Sequence, residues 1–330
     1  MFVTLSPQPS APGSFAARAT AAVSSPIDVA GALELAEELG MAQPDSTRDL
    51  WEALATLAAH DLGVARVVEP HLDAVSILRQ AGCAQPEGSW GVFAAEGGDD
   101  PLRATEGADA WSLWGTKPWC SLADRLDAAL VTATTDDGQR RLFCVGLRQS
   151  GVRPESDAWV ARGLTEIPSG PVHFDHVPAE AIGEPGWYLS RPGFAWGGIG
   201  VAACWYGGAV GIGRAVLTAA GSKPNPFLFA HLGAIDELLQ TSRRALAEAA
   251  ELIDTADPDP RLLAKRVRAT VARACEEILD RAGHALGPAP LALDRAYAKR
   301  VADLQLYVRQ HHAEKDQASL GEALAGANPW

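Results

Sequence analysis

The chain has 330 residues, a formal net charge of −13 and 47% hydrophobic residues, a length that favours two or three separate cores. The acidic balance argues against a general binder of nucleic acids or anionic membranes. The five cysteines are scattered without a CxxC spacing. This excludes a typical zinc motif or disulfide framework and indicates reduced thiols in a cytoplasmic protein.

Residues 1–82 are predicted to form an N-terminal helical region. The first 25 residues are rich in Ala, Ser and Pro and lack the basic start and continuous apolar core of a signal peptide, so we expect a loose N-terminus. From Ile27 to about Gly82, leucine and valine recur at helical spacing, interrupted at Gly40. Ser46 and Thr47 are suitable N-caps for the helix that follows.

Residues 83–186 are predicted to form a central β-domain. Asp127–Thr135 and Arg141–Leu147 are rich in β-formers and flank the tight-turn pair Asp137-Gly138. Val172–Val177 alternates in polarity and is expected to end at Pro178. Strands joined by turns, with no helix between them, indicate an antiparallel sheet or barrel rather than a parallel α/β unit.

Residues 187–330 are predicted to form a C-terminal helical bundle. The segment between Arg191 and Arg214 holds no charged residue and is long enough to cross a bilayer. It is also rich in glycine, so we expect a helix buried inside the bundle and no membrane partner. Amphipathic helices run to about Ile253 and Leu279, and Asp294–Leu320 is predicted to be one final long helix.

Basic side chains crowd one of these predicted helices. They are Arg261, Lys265, Arg266, Arg268 and Arg273. Because Glu276 and Glu277 follow directly, a solvated helix face is the favoured interpretation. An anion-binding surface is the alternative.

A series of short motifs gives the most specific signal in the chain. In order, they are Trp90–Glu96, Trp114–Ser121, Val172–Pro178 and Ile182–Gly186. In order and spacing they resemble the central domain of acyl-CoA dehydrogenases, and the resemblance extends from Gly82 to the C-terminus. It implies an α+β fold with helices, an antiparallel β-domain and a helical bundle. The chain would be a divergent, shortened member of that family.

The resemblance also implies which residues contact a flavin. Trp119 and Ser121 fall where the family places a tryptophan and a hydroxyl residue against the ring system, and a hydroxyl near N5 can stabilise the reduced form. Val92, Ala94 and Ala95 match the strand that meets the pyrimidine edge, although the family usually has threonine at the position of Ala95. An ordinary core tryptophan is the alternative interpretation of Trp119.

Two cofactor motifs of the family are changed in this sequence. Ser222–Phe227 stands where the family has an arginine that grips the diphosphate of FAD, and Gly283–Gly287 replaces a glycine turn near the adenine. Lys223 offers only a point charge in place of a bidentate clamp. The implied cofactor is therefore FAD, with FMN or a lost cofactor as alternatives.

The catalytic base of the family is missing at its usual place. If Ala302-Asp303 matches the family's Arg-Asp pair, His311 takes the glutamate position, next to His312. Histidine can act as a general acid or base near neutral pH. A polar helix face with His312 paired to Asp316 is the competing interpretation, and two helical histidines provide too few ligands for a metal site.

Other carboxylates remain candidates for the base. Glu314 lies one turn beyond the histidines, and Glu248 or Glu251 would serve if the base came from another helix. The cluster around Glu69 and His71 is interpreted as mainly structural.

Three functions follow as expectations. The first is a flavin-dependent oxidoreductase that acts on an acyl thioester, such as an acyl-CoA, or another small substrate without the usual glutamate. The second is a flavin monooxygenase of the same fold, and the third is a non-catalytic binding or scaffold subunit. By analogy with the family, a homodimer or homotetramer is expected.

Overall fold

The structure is a computed structural model that describes residues 2–6, 11–84, 87–108, 110–256 and 258–326. Within these ranges, helices come first, a seven-stranded sheet follows, and a group of long helices ends the chain. One hydrophobic core connects all three groups. This order confirms the predicted α+β fold class, while the domain limits at residues 82 and 186 stay predictions.

The N-terminal group has four helices in its described part: α1 (Phe15–Ala22), α2 (Val29–Met41), α3 (Thr47–His60) and α4 (Leu62–Gln80). The expectation of a loose N-terminus is wrong for this part of the chain. Asp49 of α3 accepts hydrogen bonds from the backbone N–H groups of Phe15 and Ala16 at 3.0 and 3.1 Å. The N–H of Leu5 donates to Glu52 at 2.7 Å. Carboxylates of α3 therefore anchor both segments.

The sheet contains the strands β1 (Trp90–Phe93), β2 (Arg103–Glu106), β3 (Trp111–Lys117), β4 (Ala128–Thr135), β5 (Arg140–Gly146), β6 (Val152–Pro154) and β7 (Val172–Ile182). The β4–β5 hairpin confirms the turn predicted at Asp137-Gly138. The expectation of a purely antiparallel sheet is only partly right, because β1 and β2 each pair with β4 in parallel. β7 also continues through Pro178, since a proline removes only one ladder donor.

The C-terminal helices are α5 (Trp187–Ser190), α6 (Pro192–Ser222), α7 (Pro226–Thr255), α8 (Pro260–Leu286), α9 (Pro288–Leu293), α10 (Arg295–Tyr307) and α11 (Glu314–Leu324). The prediction of one final long helix is wrong. After α10 a 3₁₀ turn covers Val308–Gln310. The helical structure is then interrupted at His311–Ala313, where Ala313 has a φ of +45°. Helical periodicity continues across this break, so the sequence pattern does not reveal it.

Helix α6 runs through the centre of the core. By length and composition alone it is the one helix in the described part that could cross a membrane, and 78% of its most apolar window is buried inside the protein. The predicted burial within the bundle is confirmed. Gly207 shows why this helix needs glycine, because a Cβ there would overlap the carbonyl oxygen of Ala55 on α3. The missing side chain thus lets α3 and α6 pack closely.

Candidate functional site

The segment after β3 presents an exposed tryptophan beside a buried serine. Trp119 has a φ of +60° and is 61% exposed, with its ring edge-on to Trp159 at 6.3 Å between centroids. Ser121 is buried, and its hydroxyl is 2.8 Å from that of Ser169. Leu122 also has a positive φ, at +57°. Strained backbone on both sides of Ser121 is typical of a segment held in place for a function.

An ion pair joins the two motif strands that lead to this segment. The ammonium of Lys117 is 3.0 Å from Glu96 and 2.7 Å from the carbonyl of Thr132. Burial lowers the pKa of Lys117, while the hydrogen bond to Glu96 opposes that effect. Arg140 reaches the same carboxylate at 2.6 Å. The motifs around Glu96 and Lys117 are therefore fixed against each other at one end of the sheet.

The residues predicted to contact the pyrimidine edge of a flavin lie on β1 and directly after it. Val92, Ala94 and Ala95 are half-buried, and the carbonyl of Ala94 already accepts a hydrogen bond from Arg140 at 3.1 Å. Val92 and Ala94 pack against a small apolar cluster that includes Tyr188. Their role in cofactor binding stays a prediction.

A group of polar and aromatic side chains lies between the helices and contacts Ser121 through Arg66. We call Arg66, Glu69, Trp205, Arg268 and Tyr307 the interhelical cluster. Arg66 donates to Ser121 at 3.0 Å, stands over the ring of Tyr307 at 5.4 Å and lies 3.9 Å from Glu69. Arg268 stands over Trp205 at 4.7 Å, and the rings of Trp205 and Tyr307 meet edge to face at 6.4 Å. α4, α6, α8 and α10 each contribute to the cluster.

Burial shifts the ionisation of this cluster. It raises the pKa of Glu69 to about 7; Arg66 and Arg268 lower that pKa, and Asp73 raises it. Burial also raises the pKa of the Tyr307 hydroxyl well above its ordinary value. A carboxyl group with a pKa near neutrality beside two guanidinium groups is a candidate functional group. Glu69 was interpreted from the sequence as mainly structural.

The two predicted catalytic histidines have different environments. His311 is buried, and its Nε2 atom forms no hydrogen bond with any residue in the described ranges. Burial lowers its pKa, with Asp316 opposing the shift, so the imidazole is neutral at pH 7. His312 is 64% exposed in its side chain and lies 3.6 Å from Asp316 at i,i+4. Of the two, only His311 faces the protein interior.

His311 is connected to Ser121 through the interhelical cluster. Arg268 donates to the carbonyl of Gln310, the residue before His311, at 3.2 Å. From Arg268 the contacts continue through Trp205, Tyr307 and Arg66 to Ser121. The other carboxylates considered as bases, Glu248, Glu251 and Glu314, are exposed on helix surfaces.

A second charged group nearby resembles a metal site in composition. Asp61, Glu166 and Asp303 bring carboxylate oxygens within 4.8 Å of one another. The ammonium of Lys299 lies among them, at 2.9, 2.7 and 2.6 Å respectively. Asp303 also accepts a hydrogen bond from the backbone N–H of Leu164 at 2.6 Å. The lysine supplies the positive charge here and ties α4, the β-domain and α10 together.

The fold itself is that of the acyl-CoA dehydrogenases, which confirms the resemblance at the level of structure. Neither a protein-family model nor a curated protein sequence matches the chain. A glutaryl-CoA dehydrogenase from Mycobacterium smegmatis, solved with FADH2, superposes with a TM-score of 0.80. The match covers 96% of this chain and 95% of that one at 17% sequence identity.

Two further solved structures share the fold. The FMN-bound TdsC of Paenibacillus sp. A11-2, a dibenzothiophene monooxygenase, superposes with a TM-score of 0.78 over 93% of both chains at 18% identity. KijD3, solved with FMN and dTDP-3-amino-2,3,6-trideoxy-4-keto-3-methyl-D-glucose, superposes with a TM-score of 0.73. That match covers 94% of this chain and 85% of the other at 19% identity. At such identities the similarity establishes the fold alone.

Proposed function

We propose that this protein is a flavin-dependent oxidoreductase that acts on a small polar substrate. The observation that carries the proposal is the exposed indole of Trp119 beside the buried hydroxyl of Ser121, at the end of a buried polar network. A flavin ring needs a flat apolar surface and a hydrogen-bonding group near N5, and these two residues provide both. The known cofactors of the structural neighbours, FMN and FADH2, support the same assignment.

The residues present fit FMN better than FAD. Ser222–Phe227, where the family has its diphosphate-binding arginine, is exposed and offers only Lys223 as a cation. Lysine gives a point charge without bidentate geometry. FMN requires fewer contacts of this kind because it carries a single phosphate and lacks the adenosine monophosphate group that completes the diphosphate of FAD. The binding site for the ring is thus retained in this proposal, while the diphosphate site is reduced.

His311 is the residue that we assign to proton transfer. When bound, the flavin supplies the two-electron chemistry. His311 is neutral at pH 7, and its free Nε2 atom can accept a proton from a substrate or, as the other tautomer, donate a hydrogen bond. Arg268 fixes the backbone before it through the carbonyl of Gln310. His312 points to solvent and is not needed in this scheme.

Oxygen-dependent chemistry is the second candidate function. A neutral histidine at the glutamate position suits a monooxygenase, which needs no carboxylate base for α-proton removal, better than it suits an acyl-CoA dehydrogenase. The buried charges of Arg66 and Glu69 also make the interhelical cluster a poor environment for a long apolar acyl chain. An acyl-CoA is therefore the less favoured substrate in this proposal.

The experiment that tests the proposal is oxygen uptake with chemically reduced FMN, followed in His311→Gln and His312→Gln chains. We expect the protein to change the oxygen uptake of reduced FMN. The His311→Gln substitution should abolish this change, and His312→Gln should preserve it. Equal behaviour of the two variants would remove His311 from the scheme. Oxidation identical to that of free FMN would favour the non-catalytic scaffold.

A homo-oligomer in the cytoplasm belongs to the same proposal. Leu217, Phe227 and Phe229 are 57%, 81% and 51% exposed around the junction of α6 and α7. Exposed apolar side chains that cluster in this way are typical of a subunit interface. The five free cysteines fit a reducing compartment.

A further inference from the structure

Three buried polar atoms in or beside the interhelical cluster have no hydrogen-bond partner among the residues that the structure describes. They are Nε1 of Trp205, the hydroxyl of Tyr307 and Nε2 of His311. These three residues are 0%, 2% and 9% exposed, respectively. The thiol of Cys204 lies beside the Tyr307 hydroxyl and is a weak hydrogen-bond partner for it. Unpaired buried polar atoms are rare, and each one calls for a partner outside the protein chain.

These atoms adjoin one another. Trp205 and Tyr307 are in ring contact, and Arg268 connects Trp205 with the segment that carries His311. The break between α10 and α11 lies at the same end of the cluster and interrupts regular helical packing there. Three unpaired atoms around one arginine indicate a single site rather than three separate defects.

The site holds more donors than acceptors. Arg66 and Arg268 carry positive charge, and the indole N–H of Trp205 can only donate. The Tyr307 hydroxyl is free to donate as well. Glu69 is the carboxylate of the interhelical cluster and lies 3.9 Å from Arg66. Asp316 of α11 faces Arg268, so the cluster carries an excess positive charge while Glu69 is protonated. Water would satisfy the unpaired atoms, but it would leave that charge uncompensated.

We propose that the interhelical cluster is a subsite for a small carboxylate, which Tyr307, Trp205 and the two arginines bind at the polar end of the substrate. This inference deepens the proposed function and rests on it, because only that function makes the interhelical cluster part of a substrate site. The carboxylate accepts hydrogen bonds from the indole N–H and the phenol, and both guanidinium groups balance its charge. Its substrate class is therefore an anionic organic acid rather than an uncharged hydrocarbon.

Glu69 makes this binding depend on pH. The groups around it are Arg66 and Asp73 of α4, Tyr188 of α5, Cys204 of α6, Arg268 of α8 and Tyr307 of α10. The pKa of Glu69 is raised to about 7, so its carboxyl group is mainly neutral below that pH. Above it, Glu69 adds a negative charge to that of the bound carboxylate. An anionic ligand is repelled by the ionised form. Carboxylate affinity should fall as the pH rises through this range.

The test uses benzoate as the probe and benzamide as its uncharged analogue, with tryptophan fluorescence as the readout in the full chain without flavin. We expect saturable quenching by benzoate and binding of benzamide that is at least about tenfold weaker. Tyr307→Phe should weaken benzoate by about tenfold. Tyr297→Phe, the same change elsewhere on α10, is the matched control and should bind benzoate normally.

The stability of Tyr307→Phe separates the subsite from a simple packing defect. Removing an unpaired buried hydroxyl should leave the melting temperature equal or higher, so weaker binding would not come from unfolding. Glu69→Gln should give the same benzoate affinity at about pH 6 and about pH 8, while the parent protein loses affinity at the higher pH. Asp73→Asn should keep a pH dependence but move its midpoint to lower pH, because Asp73 raises the pKa of Glu69.

Two outcomes would overturn the inference. One is equal binding of benzoate and benzamide, and the other is no binding of benzoate, which would leave bound water as the partner of the three atoms. Repeating the titration with FMN present distinguishes the two proposals. Benzoate binding without any flavin binding would refute the oxidoreductase and keep the subsite, whereas flavin binding without benzoate binding would do the reverse.

Discussion

Replacing Lys299 with methionine should expose how the central charge cluster holds the protein together. The change keeps a long side chain but removes the ammonium that lies 2.6–2.9 Å from Asp61, Glu166 and Asp303. Asp303 is only 2% exposed in its side chain, while Asp61 and Glu166 are about one-third exposed. The variant therefore leaves one buried and two partly solvated carboxylates without their shared cation.

The expected loss of stability is about 3 kcal/mol. Breaking a buried ion pair by removing one partner costs about 3–5 kcal/mol, and the solvation of Asp61 and Glu166 places this case at the lower end. The unfolding entropy of a chain of this length is about 0.7 kcal/mol per kelvin, so the melting temperature should fall by about 4 °C.

The dependence of this loss on pH has a definite sign. The loss comes mainly from the buried carboxylate of Asp303. Burial raises the pKa of Asp303 and Lys299 lowers it, so removing Lys299 raises this pKa further. The penalty is fully present near neutral pH and disappears once the groups are protonated in both states, below about pH 4. The gap between variant and parent should narrow steadily on acidification.

Thermal melts of Lys299→Met across this pH range provide the assay, with Lys315→Met as the control at an exposed lysine. The control should melt like the parent. An unchanged melting temperature for Lys299→Met near neutral pH would show that Lys299 does not stabilise the fold through these carboxylates, as would a difference from the parent that grows in acid.

Three further predictions concern packing and assembly. Gly207→Ala should destabilise the protein by about 1–3 kcal/mol in chemical denaturation, because the added methyl group meets the Ala55 carbonyl; Gly221→Ala, which meets nothing, should be neutral or stabilising. Asp49→Ala should cost about 1–3 kcal/mol and make the N-terminus sensitive to limited proteolysis, since two backbone donors of α1 lose their acceptor. Phe227→Glu should lower the mass in light scattering if the exposed patch is an interface, and an unchanged oligomer would place the interface elsewhere.

The elements that local sequence signals specify were predicted well. Asp137-Gly138 marks the β4–β5 turn, and the apolar stripe through Val267 and Val271 marks the buried face of α8. The errors fall where distant contacts decide. The N-terminus is ordered because Asp49 binds it, and the α10–α11 break depends on the conformation of Ala313. Neither effect leaves a periodic pattern.

The candidate site was predicted only in its motif-bearing half. Trp119 and Ser121 could be found because they lie in a short segment with a family resemblance. Arg66, Glu69 and Tyr307 belong to helices that are distant in sequence, and their apolar neighbours gave them the pattern of ordinary helices. Arg268 was grouped with a solvated basic face, which is wrong, because it stacks on Trp205. Glu69 was noted only as part of a polar cluster that was interpreted as mainly structural.

The absorbance spectrum of the purified protein, recorded with added FMN or FAD after desalting, shows whether the protein binds a flavin. We expect a retained flavin band with FMN and a weaker one with FAD. Trp119→Ala should reduce FMN retention by about tenfold without lowering the melting temperature, because the indole is 61% exposed. A colourless protein with both flavins, or undiminished FMN binding by Trp119→Ala, would rule out a flavin site at Trp119.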